Sequence, residues 1–345
     1  MLSHYEKLKK NNYTLIRLIL AWTVLFGHAF PITGTGSDPL SIWMLPHTWI
    51  GRIAVGGFFT VSGFLITSSF TRRGLLPFAI ARVLRIYPAV IVYSLLAVFF
   101  IGPIETNLSI HEYFDAHAWK ALLNIPLWDW RYELPHLFAT NPIANTSNGS
   151  MWTLPVELRC YLLIFSLGLI GTLRARLHQN IALLAVLYCI SVHFENMPFI
   201  SHNQFYRQPI LFFITGSLAW VNRDIIPLNY PLAVIFFAAN LISINTSLFL
   251  PVHVICVSYV IFLIAYRTPH FNLDRWGDIS YGVYIYAWPI QQIVWREGQN
   301  AYTNTALATA IVIPIAYASW KLIEEPAMKL RHKIFTQSTS PRVIA

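Results

Sequence analysis

The chain of 345 residues is 56% hydrophobic and only 11% charged, with mean hydropathy +0.52, which leaves too little polar surface to cover a water-soluble globule. Its net charge of +9 does not point to nucleic acid, because the basic residues lie beside apolar stretches rather than along one polar face. Cys160, Cys189 and Cys256 sit inside apolar stretches without the paired spacing of a zinc or redox motif, which reads them as small buried residues.

Apolar segments run at 13–32, 51–70, 84–103, 153–173, 180–195, 208–222, 230–247, 250–266, 279–295 and 303–322. The expected fold is therefore all-α, a polytopic transmembrane helix bundle of about ten spans. Lys7, Lys9 and Lys10 precede the first segment as in a signal peptide, but no small-residue cleavage site follows and many further spans do. The long apolar run at 225–266 divides at Asn245, Thr246, Ser247 and Pro251. Alternate loops carry Arg72, Arg73, Arg82 and Arg85, then Arg174 and Arg176, then Arg223, then Arg267 and Arg275, then Lys329, Arg331 and Lys333. The opposite connections hold few basic residues (Lys120, Arg131, Arg207, Arg296), so the positive-inside bias predicts both termini in the cytoplasm. The one long non-cytoplasmic insertion, at 104–152, carries Trp119, Trp128, Trp130 and Tyr132, which suit an interfacial helix or lid. Residues 1–335 read as one transmembrane domain without internal repeats, and 336–345 as a disordered tail.

Ionisable side chains inside spans are costly and are functional candidates by default. Arg17 and His28 in the first span are 11 residues apart, which returns to within ~20° of the same helix face some ~16 Å further along. They read either as a cation and an imidazole facing one cavity, or as a snorkelling arginine and a histidine bonded to a backbone carbonyl. In GSMWTLPVELRCY, Glu157 enters the fourth span from the non-cytoplasmic side, at a depth His28 reaches from below. That match predicts a base and an orienting carboxylate in one cavity, roughly 3 to 6 Å apart. The alternative is an ion network of Glu157 with Arg159. Arg82 and Arg85 in ARVLRIYP share a helix face and suit phosphate as paired guanidiniums, or serve only as topology signals. In GGFFTVSGFLI, Gly56, Gly57, Ser62 and Gly63 permit close helix packing or backbone approach to a ligand.

Six ordered segments together resemble the acyltransferase-3 family, bacterial-type membrane proteins that acylate sugars of surface glycans. They are the Arg17 to His28 spacing, GGFFTVSGFLIT, RVLRIYP, SMWTLPVELRCY, DISYGVYIYAWPIQQ and IEEPAMKL, which span nearly the whole chain. The resemblance implies an integral inner-membrane O-acyltransferase, its donor acetyl-CoA entering from the cytoplasm and its acceptor a glycan hydroxyl. His28 and Glu157 are then the catalytic residues, and Arg17, Arg82, Arg85 and Ser62 bind the donor. Many relatives carry a histidine where this chain has Ala287, so no second catalytic histidine is expected from the ninth span. The hydrolase-like domain that some relatives append is not expected either. No metal is expected, since acylating a hydroxyl with a thioester needs none and the histidines form no ligand cluster. Lipid and polysaccharide-assembly proteins are the further partners this reading entails, with no nucleic acid. The competing reading is a transporter or flippase of a lipid-linked saccharide, which predicts inverted repeats that the sequence does not display.

Overall fold

The computed structural model describes residues 1–8, 11–44, 47–131, 133–197 and 203–336, the last six as backbone alone. Lys9, Lys10, Tyr132 and the tail beyond Thr336 lie outside the described residues, as do the side chains of Arg331 and Lys333.

Every predicted apolar segment is a helix. In chain order these are α1 (Tyr13–Thr33), α2 (Ile50–Arg73), α3 (Leu75–Glu105), α4 (Thr153–Leu169), α5 (Arg176–Val192), α6 (Arg207–Val221), α7 (Tyr230–Ser243), α8 (Phe249–Arg267), α9 (Ser280–Ile293) and α10 (Ala301–Leu330). Five of them, α1, α2, α3, α8 and α10, are long and apolar enough to cross a membrane. The other five have 14 to 17 residues, or about 21 to 26 Å against a core about 30 Å thick. Among the described residues there are isolated β-bridges but no strand.

The third helix starts at Leu75, well before the predicted 84, and so carries Arg82 and Arg85 in its interior rather than at its edge. Two guanidiniums fit inside an apolar helix because both turn toward an internal cavity. Gly74, at φ +75°, makes the one-residue turn from α2 to α3, a conformation an L side chain resists.

α2 is the central element, packing against α1, α4, α6 and α8, while α1, α9 and α10 pack against one another. The short N-terminal helix Leu2–Lys7 docks on the arginine-bearing ends: Leu2 N–H donates to the Ile226 carbonyl, Ser3 N–H to Arg223, and Glu6 pairs with Arg72. The N-terminus and the loops with Arg72, Arg223 and Arg267 therefore gather on one face.

The insertion between α3 and α4 folds over the opposite end. Trp119 and Trp128 are exposed on it, whereas Trp130 is buried near Tyr93. Side chains tie it to α9: Asn148 donates to the Ile285 carbonyl at 2.8 Å, Gln292 to the Ile143 carbonyl at 2.7 Å, and the Trp288 indole to the Thr146 carbonyl at 3.3 Å. Among the described residues, the five non-glycines at positive φ all lie in this insertion (His117, Leu127, His136, Phe138 and Asn145). Such backbone persists only where surrounding contacts fix it, and these contacts set the position of Ser150 at the insertion's end.

Candidate active site

The arginine-bearing half of the bundle encloses a cavity with about 840 Å³ of space free of protein atoms, its open mouth included. Arg17 of α1, Ser62 of α2, Arg82 and Arg85 of α3, and Glu157 and Tyr161 of α4 all line it. Five of the six residues named from the sequence thus meet in one place. Glu157 and Tyr161 are four apart on α4, so they share a face, and the Tyr161 hydroxyl donates to the Glu157 carboxylate.

The three arginines differ. Arg17 pairs with Asp278; Arg85 pairs with Asp278 at 2.9 Å and with Glu324 at 3.1 Å. Burial raises the Asp278 pKa, but the Arg17 and Arg85 guanidiniums outweigh it and hold the carboxyl below its ordinary value. Arg82 makes no salt bridge among the described residues. Its guanidinium lies 5.8 Å from the Tyr161 ring centre, and its buried Nε has no hydrogen-bond partner. Asp278 and Glu324 lie in DISYG and IEEP, segments the sequence marks without giving either carboxylate a role.

His28 lies elsewhere. It lines a second cavity, of about 1110 Å³ with its mouth, together with Asp38, Trp49, Arg52, Trp152 and Trp288. The imidazole is 8% exposed, with ring centres 4.9 Å from Trp288 and 5.4 Å from Trp49. Its Nδ1 lies 3.3 Å from the Ser150 hydroxyl oxygen. Ser150 is fixed in turn, its N–H donating to Asn148 Oδ1 at 3.0 Å and its carbonyl accepting from the Tyr284 hydroxyl at 2.8 Å.

The expected single cavity holding both His28 and Glu157 is therefore two cavities. Thr153 and Tyr284, 2.7 Å apart, line the first, and both hydroxyls lie within hydrogen-bond distance of the carbonyl of Ser150, the residue whose hydroxyl meets His28 of the second. The physical reason is the entry of α4. Ser150 ends the insertion beside the imidazole, and Glu157 follows four residues beyond Thr153, roughly 6 Å further along the helix. Ser150 and Tyr161, not singled out from the sequence, are the polar neighbours of the two expected catalytic residues. Ala287 is fully buried in α9, next to Trp288 of the His28 cavity. Among the described residues, no three His, Cys, Asp or Glu side chains converge as metal ligands.

Comparison with known proteins agrees with this architecture. The acyltransferase domain family acyltransferase-3 matches residues 11–323. The chain is 26% identical over 333 residues to an O-acetyl transferase of Shigella phage Sf6, covering 92% of this chain and 96% of that protein. It is 28% identical over 368 residues to nodulation protein 10 of Rhizobium leguminosarum bv. viciae, covering 96% of each. No solved structure matches it significantly. With the match running from before α1 into α10, the chain belongs to the acyltransferase-3 family and is an O-acyltransferase.

Proposed function

We propose that this enzyme moves an acetyl or other short acyl group from acetyl-CoA, held at the arginine-lined cavity, to a hydroxyl of a glycan that reaches His28 from the opposite mouth. The observation that carries this reading is that a chain of hydrogen-bonding groups links the two cavities: Thr153 and Tyr284 of the first meet the Ser150 carbonyl, and the Ser150 hydroxyl meets His28 of the second. One is lined by Arg17, Arg82 and Arg85 beside Glu157, and the other by His28 among indole rings, so donor and acceptor have separate walls on either side of the base.

In this mechanism the donor's phosphates meet Arg82, the cavity's guanidinium without a counter-charge, while Arg17 and Arg85 stiffen the site through Asp278 and Glu324. Ser62 lines the path of the acyl arm. His28 takes the proton of the sugar hydroxyl, whose oxygen bonds to the thioester carbon. The C–S bond then breaks, and the proton taken by His28 passes to the departing sulfur, so that CoA leaves as thiol and the imidazole is free again, while Glu157 and Tyr161 line the leaving path. For this direct transfer the donor's acyl arm extends past Thr153 and Tyr284 to His28.

The excess of arginine on the N-terminal face supports a cytoplasmic donor side, with ten helices crossing a bacterial inner membrane and both termini inside. The name of the Shigella phage Sf6 relative, an O-acetyl transferase, supports acetyl transfer to an oxygen, and a glycan hydroxyl is the acceptor that the family resemblance implies. The test is incubation of the purified protein, reconstituted with its host's membrane glycans, with acetyl-labelled acetyl-CoA. Label is expected on glycan with wild-type protein and absent with His28→Ala. A well-folded His28→Ala protein that transfers label at the wild-type rate overturns the assignment.

A further inference from the structure

Arg52 of α2 stands between two cavities. On one side is the His28 cavity, walled by the indoles of Trp49, Trp152 and Trp288. On the other is a cavity of about 730 Å³ with its mouth, lined by His47, Gln204, Arg207 and Gln208, and Arg52 lines both. Among the described residues no Asp or Glu lines this second space.

Among the described residues neither guanidinium pairs with a carboxylate. Arg52 makes no salt bridge or side-chain hydrogen bond among the described residues and lies over the Phe205 ring, 5.1 Å from its centre. The carboxylate nearest in the same wall is Asp38, but it is 3% exposed and engaged in its own turn. Its Oδ1 accepts the N–H groups of Leu40 and Ser41, and its Oδ2 accepts the Ser41 hydroxyl. Arg207 reaches the Ser191 carbonyl with one nitrogen, while its Nε is buried without a partner. Gln204 donates to the Glu195 carboxylate at 3.4 Å, which leaves two guanidiniums and the Gln208 amide around a space that no described Asp or Glu lines, a set that suits an anionic group because planar forks bind carboxylate or phosphate oxygens in pairs. The indole faces on the far side of Arg52 suit the apolar face of a sugar ring.

We infer that the acceptor is an anionic sugar. Its accepting hydroxyl sits at His28, and a phosphate or carboxylate on the same or the adjoining unit is held by Arg52 and Arg207. The inference rests on the acceptor role proposed for the His28 cavity and adds the charge of the substrate.

The test is binding of glucose, glucose 1-phosphate and glucuronic acid to purified protein, read by quenching of tryptophan fluorescence. At least one charged sugar is expected to bind about tenfold or more tightly than glucose, the effect of charge-assisted hydrogen bonds. Whether phosphate or carboxylate gives the gain identifies the source of the charge. Arg52→Gln should bring the charged sugar down to the glucose level and leave glucose unchanged, and Arg52→Lys should restore part of the preference. Arg207→Gln is measured alongside, so that misfolding of one variant leaves the other decisive. Equal affinity for all three sugars in the wild type, or a preference that survives both glutamine variants, overturns the inference. A charged-sugar preference in a protein whose His28→Ala variant still transfers acyl groups upholds the anionic site and sinks only its assignment to the acceptor.

Discussion

The imidazole Nδ1 of His28 lies 3.3 Å from the hydroxyl oxygen of Ser150, a residue 122 positions later in the chain. With Nδ1–H donating to that hydroxyl, Nε2 is the unprotonated nitrogen that a general base needs. Ser150→Ala should lower the turnover of acyl transfer about tenfold or more while leaving acetyl-CoA binding unchanged, because the ring loses its orienting partner and not its chemistry. His28→Ala should cost on the order of a hundredfold or more, with the protein still in the membrane fraction. Steady-state kinetics of the two variants decide it: wild-type turnover in Ser150→Ala would reduce the hydroxyl to packing.

The arginines of the first cavity should separate in a stability measurement. Arg82→Lys keeps the charge and loses the planar fork, so acetyl-CoA affinity should fall on the order of tenfold with no change in thermal midpoint. Arg85→Ala should lower stability by roughly 3 to 5 kcal/mol, since Asp278 and Glu324 are left as buried carboxylates without their shared partner. Calorimetric titration with CoA and thermal unfolding in detergent report the two effects. Unaltered CoA affinity in Arg82→Lys would return that residue to a topology signal.

What was legible in the sequence is what short stretches encode. Apolar length fixes a helix locally, so every predicted segment is one, and the three-residue spacing of Arg82 and Arg85 puts both on one cavity. Asp278 and Glu324 were not legible as the partners of Arg85, because they lie 193 and 239 residues away and a carboxylate's neighbours depend on packing. The division of His28 from Glu157 was hidden for a related reason. Counting residues along two helices estimates depth, but the strained insertion that brings Ser150 beside the imidazole has no periodicity to read.

The crossing of α2 and α6 should not tolerate a methyl group. A Cβ on Gly63 would run into the Phe213 carbonyl, and one on Gly216 into the Thr60 carbonyl, both backbone atoms that cannot rotate aside. Gly63→Ala and Gly216→Ala should each destabilise the protein by roughly 1 to 3 kcal/mol. Gly63→Ala should also weaken donor binding, because it shifts Ser62 in the cavity wall. An unchanged thermal midpoint in both variants would mean that the helices separate at little cost.

The Asp278 carboxylate should give the protein a specific acid limb. It joins Arg17 of α1 to Arg85 of α3, and the two guanidiniums hold its pKa below the ordinary value despite burial. A carboxyl whose native pKa lies below its unfolded value, about 3.9, binds fewer protons in the native state. Its stabilisation is therefore fully present above pH about 4 and is lost as pH falls from there through the native pKa. Asp278→Asn keeps the shape and removes the charge, leaving Arg17 and Arg85 without their common partner. At pH 7 the variant should be less stable by about 3 kcal/mol, the lower end for a broken buried pair, because Arg17 is 26% exposed and partly solvated. Thermal unfolding of both proteins between pH 3 and pH 7 tests the sign. Below about pH 4 the gap between them should narrow as Asp278 takes up its proton. A gap that does not narrow below about pH 4 would mean that Asp278 is not a carboxyl held low by two arginines, and the network would then need another anion at its centre.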